Sequence, residues 1–198
     1  MTERTTQAAA APLTCGMLDN LDVAVGLPWL KAEAEGESAA KNGMSDISIS
    51  AKWRLYERES LSFALRPGIT LPTGNDSKGL GSGKAAYSLF FITTQELKPF
   101  IVHLNLGYIC NENKLDERVD IWHASLAGEF AATKALRIVF NVGQEKNPDP
   151  LADKNPAYVL AGLIYSVTES LDVDCGFKRA LNDAEPDYTI LGGIALRF

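Results

Sequence analysis

The sequence is poor in the residues that usually announce chemistry. It has two histidines and three cysteines among 198 residues. Cys15, Cys110 and Cys175 are odd in number and widely separated, so they suggest neither a disulfide framework nor a metal knot and read as small apolar fillers. No apolar run approaches the roughly 18 residues of a transmembrane helix, and no window shows a convincing amphipathic helix. An excess of basic residues is missing too. The net charge of −6 gives no global footprint for nucleic acid. The opening segment MTERTTQAAAAPLTCG is no signal peptide, because Glu3 accompanies Arg4 and the alanine run at 8–11 is too short for an apolar core. The stretch KGLGSGK at 78–84 is no phosphate loop. Lys78 stands where the first glycine is required, and Ala85 stands where a hydroxyl would meet magnesium. No cofactor or metal site is expected.

What the sequence does have is alternation with a period of two, the signature of strands with two different environments. Ile47, Ile49, Ala51, Trp53 and Leu55 share one face, opposite Asp46, Ser48, Ser50, Lys52 and Arg54. The same contrast recurs from Leu21 to the end of the chain, more weakly at 85–94 and 157–167. Ten clear strands result, and a shorter one at 13–17 makes eleven. The connections alternate as strictly. Short turns at 57–60, 96–99, 133–135 and 169–170 take turns with long polar loops at 35–43, 75–84, 111–120, 146–156 and 182–186. An up-and-down meander then carries all its tight turns at one end and all its long loops at the other.

Two architectures fit: a soluble barrel that binds a small apolar ligand, and an all-β antiparallel transmembrane barrel with its apolar face in lipid. The membrane form is favoured by large charges mixed with Gly, Ser and Ala on the polar face. Trp29, Trp53, Tyr108, Trp122 and Tyr188 near the strand ends on the apolar face point the same way. The last strand ends in Phe198 on that face, which resembles the insertion signal of bacterial outer-membrane barrels. Eleven strands is an odd number, whereas bacterial single-chain barrels close with an even one. A missing first strand and signal peptide is therefore expected, about twelve strands in the complete barrel. Residues 1–12 are expected to be irregular or non-native, with 13–198 forming one outer-membrane barrel domain.

The stretches MSDISISAKWRLYERESLSFALRPGITLPTG and GLGSGKAAYSLFF, with VAVGLPW, HLNLGY, ERVDIWHASLAGEF and LGGIALRF, resemble the outer-membrane proteins grouped as the MetA-pathway-of-phenol-degradation family. The resemblance runs from about Thr14 to Phe198. It implies a twelve-stranded type of outer-membrane barrel that transports aromatic or other apolar compounds. It supplies no catalytic residues.

By parity Asp46, Lys52, Arg54, Arg66, His103, Asn105, Glu129, Arg137, Asp172, Asp174, Lys178 and Arg197 point into the lumen, either to meet solute or to pair across strands. Lys78 and Lys84 belong to the external rim. The expected partners are outer-membrane lipid, the barrel-assembly machinery and a small-molecule solute. A hydrolase is a second possibility, with His123 two residues from Ser125 and near Asp120. Residues two apart on a strand lie about 7 Å apart, too far for direct contact between short side chains. Asp116, Glu117 and Asp120, and Asp149 and Asp153, lack the ligand order of a calcium loop and read as solvated charge.

Overall fold

The computed structural model describes residues 4–34 and 41–197. The strands are β1 (Arg4–Leu18), β2 (Leu21–Ala34), β3 (Lys41–Met44), β4 (Ile47–Arg58), β5 (Leu61–Leu71) and β6 (Ala86–Leu97). They continue with β7 (Phe100–Cys110), β8 (Asp120–Ala131), β9 (Leu136–Glu145), β10 (Ala157–Ser166), β11 (Leu171–Ala180) and β12 (Tyr188–Leu196). One short 3-10 turn, Asp76–Lys78, lies in the loop between β5 and β6. All strands join one antiparallel sheet in the order β1-β2-β4-β5-β6-β7-β8-β9-β10-β11-β12. β3 pairs with the far end of β2 (Trp29 with Met44) while β4 pairs with its near end (Gly26 with Ser48), so β3 and β4 form one interrupted strand position. The wall is thus an eleven-position meander. The expected closure is not made in this structure, where β1 and β12 are the two edges of an open sheet.

Three local departures from simple alternation appear. Residues 4–12, expected to be irregular, are strand, paired with β2 from Arg4 opposite Ala34 to Pro12 opposite Gly26. An alanine run has no apolar–polar contrast, so its pairing leaves no periodic trace. Leu55 is the extra residue of a bulge: Arg54 faces Ala64, but Tyr56 already faces Phe63. The alternation restarts there and sends Tyr56 to the apolar side, where it meets the Phe63 ring at 5.6 Å. Met17 occupies a similar irregularity between Gly16 and Leu18.

Burial is inverted relative to a water-soluble fold. Trp53 is 51% exposed, Leu126 48% and Ile194 75%, and large side chains of the same face are exposed on strand after strand. On the opposite face Ala64, Ile92, Ser125 and Asp172 are buried. Leaving an aliphatic or aromatic side chain in water forgoes about 1.5–3 kcal/mol. A wall that does so on each strand is built to meet an apolar surrounding. The soluble barrel required the opposite arrangement, with these side chains inside. Trp29, Tyr87, Tyr108, Trp122 and Tyr188 sit towards the loop ends of their strands, and Trp53, Tyr56, Phe100 and Tyr165 towards the turn ends. The two groups form girdles of the kind that flank a bilayer.

Candidate functional site: the polar face

The turn end of the polar face is crossed by a ladder of charge. Arg197, just after β12, and Arg137 on β9 both donate to Asp172 Oδ2 on β11, the latter at 2.9 Å. Arg137 also donates to Glu129 Oε2 on β8 at 3.3 Å. Glu129 Oε1 lies 3.5 Å from Nε2 of His103 on β7, whose Nδ1 is 2.8 Å from the Thr94 hydroxyl on β6. Asp172 is only 2% exposed. Five residues expected on this face (His103, Glu129, Arg137, Asp172 and Arg197) are thus brought together, and the charges of Glu129, Arg137, Asp172 and Arg197 pair among themselves.

Nearer the loop end, side chains lie across neighbouring strands. Phe90 on β6 covers Gly107 on β7 and meets His123 on β8, with ring centroids 5.7 Å apart. A Cβ on Gly107 would stand 2.3 Å from the Phe90 ring, so only glycine leaves this path open. Tyr158 on β10 lies likewise over Gly143 on β9, and the Lys178 ammonium sits 5.1 Å from its ring centre. Lys178 also pairs with Glu185. His123, Glu145, Tyr158, Lys178, Glu185 and Leu191 are among the residues around a cleft of about 440 Å³.

His123 is tied on both sides. Its Nε2 is 3.2 Å from Ser125 Oγ and its Nδ1 is 3.2 Å from Glu145 Oε2. The expectation that His123 and Ser125 stand too far apart is therefore corrected, because the imidazole reaches along the strand. The partner on the other nitrogen is Glu145, which sequence reasoning missed. Asp120 is turned to the apolar side, where it accepts from the Tyr108 hydroxyl. A readable signal existed: the tight turn between β8 and β9 sets a register in which His123 faces Glu145. Ser125 is 7% exposed. It lies in the middle of β8, between β7 and β9, where backbone N–H groups serve the strand ladder. The backbone N–H groups around Ser125 are therefore engaged in the sheet.

The β1–β5 half of this face is different. Thr14, Gly16, Ala24, Gly26, Ser48, Ser50, Ala64 and Gly68 give a lining of small side chains, as the register shows. Two cations interrupt it. Lys52 and Arg66 stand opposite each other across β4 and β5, because the register is the same at Ser50–Gly68 and Trp53–Leu65. Arg66 stacks on the Phe90 ring with its guanidinium carbon 4.6 Å from the centroid. Asp22 faces Lys52 across β2 and β4.

The remaining candidates serve the ends of the wall. Arg54 closes the turn end, donating to the Asp19 carbonyl at 2.6 Å and pairing with Glu57 at 3.1 Å. Asp46, in the break between β3 and β4, accepts from Gly74 N (2.8 Å), Ser82 N (2.7 Å) and Ser82 Oγ (2.8 Å). Its carboxylate therefore anchors the long loop after β5. Gly83 in that loop has φ +72°, and a Cβ there would meet Asp76 and Lys114. Asn105 faces Ser125, and Asp174 faces Gly193 at the β12 edge. Among the rim residues, Lys84 pairs with Glu112 at 3.3 Å, and Lys78 is exposed at the end of the 3-10 turn. Lys114 pairs with Asp76 at 2.9 Å and Lys154 with Asp183 at 2.7 Å. Each lysine holds its aspartate below the usual carboxylate range through the hydrogen bond it donates. Arg118 bonds the carbonyls of Asp149 and Pro150, so successive loops are tied into a collar. Phe198 lies outside the described residues.

With an apolar outer surface and a charged inner one in place, the comparisons with known proteins become informative. The family described as "Putative MetA-pathway of phenol degradation" matches residues 11–198. The chain belongs to this family. Its fold is that of outer-membrane channels. A solved outer membrane channel from Pseudomonas putida F1 superposes with a TM-score of 0.77 at 17% identity, covering 99% of this chain and 85% of that one. The NanC porin superposes with a TM-score of 0.69 at 6% identity, covering 100% of this chain and 97% of that one. A search of curated proteins by sequence returns no match. The family match begins inside β1, one residue before Pro12, and runs through every later strand of the wall.

Proposed function

We propose that this protein is a channel of the bacterial outer membrane that admits small aromatic or apolar compounds. The observation that carries the reading is the inversion of burial. Exposed Trp, Tyr, Leu and Ile side chains cover one face of an antiparallel meander, and small and charged side chains line the other. Lipid satisfies the first face, and a polar passage satisfies the second. The loop collar would face the exterior and the tight turns the periplasm. In this reading the partners are lipid, the assembly machinery that inserts the barrel, and the solute.

The test is reconstitution. The full-length protein in liposomes should admit benzyl alcohol or phenol faster than empty liposomes do, and in planar bilayers it should carry discrete current steps. Recovery from cells in the soluble fraction, or liposomes no leakier than controls, would overturn the reading. The His123–Ser125–Glu145 contact is read here as part of the wall. Labelling of Ser125 by a fluorophosphonate probe, abolished in Ser125→Ala, would replace that reading with a hydrolytic one.

A further inference from the structure

We infer that Lys52 and Arg66, with Phe90 behind them, form a carboxylate-binding subsite on the lumen wall, so that the solutes preferred are organic acids in their anionic form. This rests on the channel reading above and names the chemical class it takes.

Two cations directly opposite each other on neighbouring strands repel, since such positions hold their Cβ atoms about 4.5–5.5 Å apart. Elsewhere on this face charges of opposite sign bond one another from β8 to the end of β12. At Lys52 and Arg66 they do not. Among the described residues no carboxylate lies within ion-pair distance of either side chain, and Asp22, although it faces Lys52, makes no ion pair with it. Both cations lie near the middle of their strands, Ile47–Arg58 and Leu61–Leu71. Lys52 is exposed on this face and Arg66 half-buried, and an unpaired like-charged couple at that depth points to a ligand that supplies the missing charge.

The local geometry favours a carboxylate. The Phe90 ring supports one face of the Arg66 guanidinium at 4.6 Å. Stacking uses the face of the guanidinium and leaves its in-plane N–H donors free, which suits the two oxygens of a carboxylate. The Phe90 ring is itself fixed, because it lies over Gly107 against His123. The guanidinium is therefore held before the solute arrives. Lys52 across the strand pair adds a second, mobile donor. The lining of Gly, Ala and Ser on the surrounding strands leaves room for the rest of the molecule.

The test uses benzoate against benzyl alcohol, which share a ring and differ in charge. In planar bilayers holding the full-length protein, a potassium chloride gradient should give a reversal potential of the sign expected for anion preference. Benzoate should reduce the chloride current, and benzyl alcohol at equal concentration should not. In Lys52→Gln/Arg66→Gln the half-blocking benzoate concentration should rise roughly tenfold or more, as expected for losing charge-assisted hydrogen bonds, and the anion preference should fall. Phe90→Leu should raise the blocking concentration less, because the charge remains and only its support is gone. Equal block by both compounds, or unchanged block in the double variant, overturns the subsite. A wild-type protein that carries no current overturns the channel reading instead. The subsite is then decided by saturation-transfer NMR of benzoate on the detergent-solubilised protein: a signal lost in the double variant supports it, and a signal unchanged refutes it.

Discussion

The two halves of the wall solve the problem of a charged interior in different ways. From β6 to β12 the turn end of the polar face is held by hydrogen bonds and ion pairs between strands, centred on a buried aspartate that two arginines share. From β1 to β5 the same face is lined by small residues, and its two central cations face each other without an ion pair to a carboxylate among the described residues. The first half uses charge to hold strands together. The second leaves charge available. Charge on an interior wall is therefore not one property. Whether a residue braces or binds depends on whether its neighbours have already neutralised it.

The difference is sharpest if one acceptor is removed. Asp172→Ala leaves Arg137 and Arg197 side by side with no shared carboxylate. It should cause the largest loss of folded protein of any change named here, read as loss of the heat-modifiable band and an earlier urea midpoint in lipid. Gly107→Val comes next. The new side chain collides with Phe90, and overpacking of this kind costs about 1–3 kcal/mol. Phe90→Ala should recover most of that loss in the double variant, and additive effects would show that the ring does not lie across the glycine. Lys52→Gln/Arg66→Gln should leave the unfolding free energy from urea titration within about 0.5 kcal/mol of wild type while altering conductance. A large destabilisation would place these two residues in the bracing class and erase the contrast between the halves. The smallest effect belongs to the collar. Lys114 depresses the Asp76 pKa, so the clasp contributes fully above the unfolded aspartate value of about 3.9 and is lost only as pH falls below it. Amide shifts of Ser77 and Gly83 should stay constant down to about pH 4 and move below it, and Lys114→Met should bring the midpoint up towards the ordinary value.

Much of this wall was legible in the sequence, and what was not has physical causes. Alternation located the strands from Leu21 onward because lipid and lumen demand opposite side chains. It was silent at residues 4–12, where alanine suits both faces. It also could not foresee the bulge at Leu55, where Leu55 and Tyr56 are both apolar and hide the change of phase. The polar-face residues were found by parity, but parity says nothing about pairing. Asp46 and Lys52 belong to one alternating run, yet Asp46 holds a loop and Lys52 faces another cation. Those roles follow from register, which tight turns fix. Where the turn was short, as between β8 and β9, the His123–Glu145 contact was within reach of the same reasoning and was missed.

The Phe90 ring over Gly107 has a consequence for how such a wall can change over generations. A large side chain on one strand occupies space that the next strand has given up, so the thickness of the lining belongs to the pair and to neither residue alone. Either member replaced singly would produce a collision or a hollow. Replaced together, with the bulk moved to the following strand, they would shift the obstruction sideways around the passage and leave the outer surface untouched. Descendants of this chain could then retune what they admit by exchanging bulk between neighbours, one couple at a time, while their contact with lipid stays the same.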